Sequence, residues 1–229
     1  MGKNKKPKKR EGSRFYRICY ALFSKIVKIL FRIKVVNPEN EPEEGGYIVC
    51  SNHIAASDVV AICYAFKKRQ IRYMAKKELF SIPLLSSLIK MLGAFPVDRS
   101  GKDVGAIKTS ISILESGNSM GLFPQGHRYP ATDPRTTKVK NGAALISTKT
   151  SADIVPVYIH RKNNTSKLFR RTYVIIGEKI PYEALEYNAE ASGEYARISN
   201  LIFDRICTIG EDFREKLDKE KEKKKKDKK

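Results

Sequence analysis

The chain has 229 residues, 41% of them apolar and 31% charged, enough length and apolar content for one domain with a sizeable core. Lys and Arg number 45 against 25 Asp and Glu, a formal net charge of +20, so an anionic partner is expected. Four cysteines with no CxxC pair, and only three histidines, exclude a disulfide scaffold and a metal knuckle and fit a reducing compartment.

The charge sits at the ends. Residues 1–35 hold twelve Lys/Arg and one acid, residues 216–229 hold nine lysines and four acids, and the stretch 36–215 carries a net charge of only +4. This divides the chain into a basic tail (1–12), a basic amphipathic segment (13–35), a body (36–215) and a Lys-rich tail (216–229), the two tails expected to be solvated and attracted to phosphates.

In residues 13–35 apolar side chains fall at Phe15, Ile18, Cys19, Leu22, Phe23, Ile26, Val27, Leu30 and Ile33, the spacing of one helical face. Arg14, Arg17, Lys25, Lys28 and Arg32 interrupt every window of the ~20 apolar residues that a spanning helix needs. No apolar run followed by a small-residue cleavage site marks a signal peptide, and Lys6 breaks the myristoylation pattern after Gly2. The pattern predicts a helix lying in a membrane interface; the same spacing also fits a helix packed on its own domain.

From residue 46 onward strands and helices alternate. Strands are predicted at Tyr47–Ser51, Ile71–Ala75, Ala94–Val97, Met120–Phe123, Ile154–Ile159 and Thr172–Ile176. Helices are predicted from Ser57 to about Lys68, over Pro83–Leu92, over Val104–Glu115, over Asn141–Thr150, and from about Gly193 into the Lys-rich tail. Strands separated by helices of ten residues or so imply an α/β fold, a largely parallel sheet flanked by helices.

In such sheets ligands bind beyond the carboxyl ends of the strands. Three polar groups follow predicted strands: Asn52-His53 with Asp58, then Asp98-Arg99-Ser100, then Pro124-Gln125-Gly126-His127-Arg128. Adjacent strands would bring them into one crevice. His53 and Asp58, five apart, cannot share a face of a regular helix, but they meet if His53 is still in the loop and Asp58 lies in the first turn. Asp58 could then fix the imidazole tautomer and leave the second ring nitrogen as a base. The alternative makes His53 an ordinary turn residue and Asp58 a helix cap. Arg99 and Arg128 carry guanidinium forks suited to phosphate, or else form surface ion pairs. Neither GxxxxGK[ST] nor GxGxxG follows a strand, so a nucleotide loop is not supported.

Four blocks in this order resemble the glycerolipid acyltransferases, and most the 1-acylglycerol-3-phosphate acyltransferases. Ser51-Asn52-His53 with Asp58 is similar to NH-x4-D. Gly93-Ala94-Phe95-Pro96-Val97-Asp98-Arg99 is similar to G-x-[IF]-x-[VI]-[DR]-R, with a KKEL lead-in at Lys76–Leu79. Phe123-Pro124-Gln125-Gly126-His127-Arg128 is similar to FPEGTR, and Ile154-Val155-Pro156-Val157 to the fourth block. The resemblance covers roughly residues 45–180. It implies acyl transfer from a thioester, acyl-CoA or acyl-carrier protein as co-substrate and no other cofactor, to the sn-2 hydroxyl of 1-acylglycerol 3-phosphate, giving phosphatidic acid. It further implies His53 with Asp58 as catalytic base, Arg99, Arg128 and Lys140 on the acceptor phosphate, and Pro156 on the acyl-donor side. Asn52, Phe123, Pro124, Gln125, Gly126 and His127 would shape the acceptor site.

Gln125 and His127 depart from the Glu and Thr usual at those positions, which puts the role of the missing acid in doubt. Glycerol 3-phosphate, another lysophospholipid or a lyso-ornithine lipid are alternative acceptors. The expected partner surface is membrane lipid with anionic headgroups, and the expected location is peripheral, on the cytoplasmic face of the cell membrane. A nucleic-acid binder is disfavoured, because the body is nearly neutral and its aromatic residues fall in apolar runs rather than on a basic face.

Overall fold

The computed structural model describes residues 24–91, 93–97 and 104–227. Seven strands form one sheet in the order β1-β7-β6-β2-β5-β3-β4, with β1 Ile33–Val36, β2 Tyr47–Ser51, β3 Ile71–Lys76, β4 Phe95–Val97, β5 Ser119–Leu122, β6 Asp153–Arg161 and β7 Thr172–Ile176. All neighbours pair in parallel except β6 with β7, which run antiparallel. Residues 24–31 are helical (α1), followed by α2 Ser57–Ala65, α3 Pro83–Met91, α4 Val104–Glu115, α5 Gly142–Thr150 and α6 Glu194–Lys226. The α/β reading holds, and six of the strands stand where the apolar runs predicted them.

Alternation along the strands sorts the core onto two faces. Tyr47 and Val49 of β2, with Val155, Val157 and Ile159 of β6, pack beneath Ala61, Ile62 and Ala65 of α2 and Val27 of α1. Ile48, Cys50, Met120, Ile154 and Tyr158 face the other way, against Ala143, Ala144 and Ile146 of α5 and Ile198, Ile202 and Ile206 of α6. The central strands are therefore apolar on both faces, and β2 is buried along its whole length. The neighbours β2 and β5 send their following helices to opposite faces, α2 to one and α5 to the other. That divergence opens a crevice at their carboxyl ends.

One boundary differs from the sequence expectation. The predicted helix over 13–35 lies outside the described residues as far as position 23, and it ends at residue 31 rather than 35. Arg32 turns the chain with φ 43°, and Ile33–Val36 pairs with β7 as an edge strand. Ile33 continues the helical spacing, but the run Ile33, Val35, Val36 is β-branched and finds an open sheet edge, so tertiary pairing overrides periodicity. The Lys-rich tail is exposed and helical through residue 226, as the predicted run of the last helix into it implies. It extends α6, with Lys219 bonded to Glu215 at 2.6 Å and Lys221 to Asp218 at 2.7 Å, the spacings at which opposite charges support a helix.

Gly121 of β5 pairs in register with Tyr73 of β3, and an added Cβ would lie 2.1 Å from that ring. The missing side chain lets Tyr73 lie across β5 and stack on Phe123 at 5.8 Å between centroids. Gly121→Ala is expected to cost about 1–3 kcal/mol by overpacking. Thermal unfolding should then fall by roughly 2–10 °C.

Candidate active site

β2 ends in Ser51 and the chain turns into α2 through residues 52–56, which carry no regular structure of their own. What shapes this elbow is Asp58, in the first turn of α2 and 0% exposed. One of its oxygens, Oδ2, accepts from the backbone N–H of Ile54 at 2.6 Å, from that of Ala55 at 2.8 Å and from Nδ1 of His53 at 2.8 Å. The other, Oδ1, is bound by Nη1 of Arg161. Asp58 thus binds the loop before its helix and the imidazole at the same time. His53 and Asp58 meet as a loop residue and a first-turn residue, and Asp58 is not the helix cap, which is Ala56.

Burial drives the Asp58 pKa up, but the His53 bond, the Arg161 charge and the backbone donors outweigh it and hold the carboxyl below its ordinary value. An ionised acceptor at Oδ2 makes Nδ1–H the donor, and Nε2 is then the lone-pair nitrogen. The His53 ring stacks on Phe123, centroids 3.9 Å apart and planes 12° apart, and its side chain is 12% exposed. Tyr73, Phe123 and His53 form a continuous stack that fixes the imidazole from below while the carboxylate fixes it from the side.

The loop after β5 closes on the same elbow. Gln125 is buried; its Oε1 accepts from the His53 backbone N–H at 2.6 Å, and its Nε2 donates to Oγ1 of Thr137 at 2.8 Å. Tyr129 N–H donates to the His53 carbonyl at 2.9 Å. Both polar ends of Gln125 are therefore engaged within the protein, and the departure from Glu leaves it a tie between two loops. Gly126 turns with φ 70°, where a Cβ would sit 3.0 Å from Cγ of Lys140, and the buried Pro124 accepts from the Lys140 N–H at 2.7 Å. Lys140, His127 and Arg128 are exposed beside this turn.

Asn52 points into the protein: its side chain donates to the Ile159 carbonyl at 3.1 Å and accepts from the Ile159 N–H at 2.7 Å, sealing β2 to β6. Pro156 is buried in mid-strand, paired with Cys50, well below the carboxyl end. Arg99 lies outside the described residues. The strand before it, β4, is not adjacent to β2 as expected but three places away, at ~4.8 Å per strand, because β5 and β3 intervene.

Arg161 was not singled out by the sequence. It is 3% exposed, spends Nε on Thr172 Oγ1 at 3.1 Å and Nη2 on Ser57 Oγ at 3.3 Å, and neutralises Asp58 from β6. No local motif marks it; the one signal is an arginine closing an apolar nine-residue strand.

Residues 32–160 match the Acyltransferase family. The chain is 34% identical over 167 residues to a 1-acyl-sn-glycerol-3-phosphate acyltransferase of Bacillus subtilis, a match covering 72% of this chain and 82% of that one. The chain belongs to the acyltransferase family. A Streptococcus pneumoniae protein of the same name is 38% identical over 116 residues, 50% of this chain and 42% of its own. The fold of this acyltransferase is shared with the crystal structure of the PlsC acyltransferase from Thermotoga maritima, with a TM-score of 0.66 and 22% identity over 86% and 80% of the two chains.

Removing Arg161 should strand a buried carboxylate. Arg161→Met is expected to cost about 3–5 kcal/mol of stability. In the surviving enzyme the Asp58 pKa rises, because the His53 bond and the backbone donors alone then oppose burial. Asp58 is then protonated at higher pH, and the acid limb of the rate profile should move upward. A pH–rate profile beside the wild type checks this; an unmoved limb would separate Arg161 from the dyad.

Proposed function

We infer that this acyltransferase transfers a fatty acyl group from an acyl thioester to the sn-2 hydroxyl of 1-acylglycerol 3-phosphate, forming phosphatidic acid. The observation that carries the reading is the His53–Asp58 pair at the β2/β5 crevice. It is joined by the match to the Bacillus subtilis 1-acyl-sn-glycerol-3-phosphate acyltransferase over most of that protein's length.

Nε2 of His53 takes the proton of the acceptor hydroxyl as its oxygen attacks the thioester carbonyl. The ester C–O bond forms, the C–S bond breaks, and the proton passes from the imidazolium to the departing thiolate. Asp58 stabilises the imidazolium and, with Phe123, holds the ring so that little reorganisation is needed. The transfer proposed is direct: among the described residues no nucleophilic side chain is hydrogen-bonded to the His53 ring in the role of a triad serine. Arg128 and Lys140, exposed on the turn beside the base, are suited to the acceptor phosphate, and Arg99 is proposed to reach it from the same end of the sheet. His127 lies on the same turn at the acceptor mouth. Pro156, buried beneath, braces the sheet under the donor side.

The wild type should release thiol from palmitoyl-CoA only when 1-acylglycerol 3-phosphate is present, and His53→Ala should lower that rate by about 10²–10⁴. Acceptor-independent release, or a rate that survives the substitution, would refute the assignment. Parallel assays with an acyl-carrier-protein donor and with glycerol 3-phosphate as acceptor define the substrates.

Attachment at the cytoplasmic membrane surface fits this substrate, which resides in a bilayer. No helix among the described residues is long and apolar enough to cross a membrane. α1 docks through Val27 and Phe31, while Ile26 and Ile29, on the opposite side at 100° per residue, are exposed. Deletion of 1–35 would remove β1 and these packing residues, so the informative truncation ends at residue 23. That variant should stay folded and bind anionic liposomes more weakly; undiminished binding would count against an interfacial role for the first 23 residues.

A further inference from the structure

A second charged site lies across the sheet from the dyad. A cavity of about 650 Å³ opens between the start of β1, the β6–β7 connection and α6. Six cations line it: Arg32, Lys162, Arg170, Arg171, Arg214 and Lys221. Among the described residues the single carboxylate in the lining, Asp218, is already bonded to Lys221 at 2.7 Å. Arg214 leans over the Tyr158 ring and Arg171 over that of Tyr173, so their charges are held in place rather than neutralised. Arg32, Lys162 and Arg170 have no acidic partner among the described residues. Like charges crowded in this way raise the local positive potential and favour a bound anion. His160, in the same lining, has a buried Nδ1 without a partner among the described residues; burial first, then Arg214 and Lys221, holds its pKa down.

The rim is apolar. The β6–β7 connection presents Leu168 and Phe169 to solvent, Phe169 being 60% exposed, directly before Arg170 and Arg171. The Phe169 N–H donates to the Leu30 carbonyl at 2.6 Å, which brings this tip against the end of α1, where Ile29 is 66% exposed and Arg32 follows. Exposed apolar side chains within a residue or two of clustered cations form the arrangement that enters a bilayer interface, with chains at the acyl boundary and cations among headgroups.

We propose that this cavity binds the phosphate of an anionic glycerophospholipid in a bilayer, with Leu168, Phe169, Ile26 and Ile29 entering the acyl boundary. The site is separate from the reaction centre. Successive residues of β6 serve the two, Arg161 facing Asp58 and His160 facing the cavity, on opposite faces of the sheet. The assignment does not rest on acyl transfer, because it concerns a surface the mechanism does not use.

The test is sedimentation of the full chain with phosphatidylcholine vesicles, with and without phosphatidylglycerol, at fixed ionic strength. The triple variant Lys162→Gln, Arg170→Gln, Arg171→Gln should lose about 100-fold in partitioning onto the anionic vesicles. Its turnover of detergent-dispersed acceptor should stay at the wild-type value. A control of equal charge change, Lys223→Gln, Lys224→Gln, Lys225→Gln, should lose only a few-fold, and Leu168→Ser with Phe169→Ser should weaken binding while leaving the charge intact. Equal losses in the two triple variants would overturn the proposal in favour of net charge alone. Displacement of the wild type from vesicles by an equal concentration of inorganic phosphate would mean that the cavity takes free anions rather than lipid. Unchanged partitioning with a raised KM for an acyl-carrier-protein donor would assign the surface to an acidic protein.

Discussion

A carboxylate removed from water is costly unless its charge and lone pairs are met, and the site of this acyltransferase is organised around meeting them at Asp58. Two backbone N–H groups, an imidazole and a guanidinium converge on its two oxygens. Three of the donors, the imidazole and the two backbone N–H groups, come from consecutive residues of the loop after β2, and the fourth from the last residue of β6. The same contacts that make the buried charge tolerable also bend the β2–α2 elbow and select the imidazole tautomer. Loop shape, base orientation and local charge balance are therefore one constraint.

The sheet supplies the frame in which that constraint can be satisfied. β2 lies between β5 and β6, so His53 has Phe123 and Gln125 from one neighbour and Asp58 has Arg161 from the other. Asn52 locks the junction by bonding both polar groups of Ile159. Removing the Cβ at Gly121 lets an aromatic stack run from β3 to the imidazole. The buried β2 and its neighbours thereby hold the imidazole to a narrow range of orientations, which a proton transfer between fixed partners would require.

At its carboxyl end β6 sends successive residues into two charged surroundings. The residue facing α2 completes the dyad, and the residue before it faces a basic cavity beside α6. The apolar tips of α1 and of the β6–β7 connection meet at this same edge. A membrane-facing surface and a reaction centre would then be tied through one strand.

The sequence by itself determined a good deal. Apolar runs of strand length between helical periods were sufficient for the α/β class and for six strands, since both faces of a central sheet demand continuous apolar residues. The spacing of His53 and Asp58 left two readings open, and it permitted a contact because a loop residue and a first-turn residue five apart can meet within one local elbow. Only the tertiary structure decided what depends on strand order. It turned Ile33–Val36 from the end of a helix into an edge strand, moved the strand before Arg99 three places from β2, gave Gln125 the task of tying two loops, and brought Arg161, 103 residues away in sequence, onto Asp58. Local periodicity reports which face a residue shows; it carries no information on which strand will lie alongside, and the partners of a buried charge are chosen by that neighbourhood.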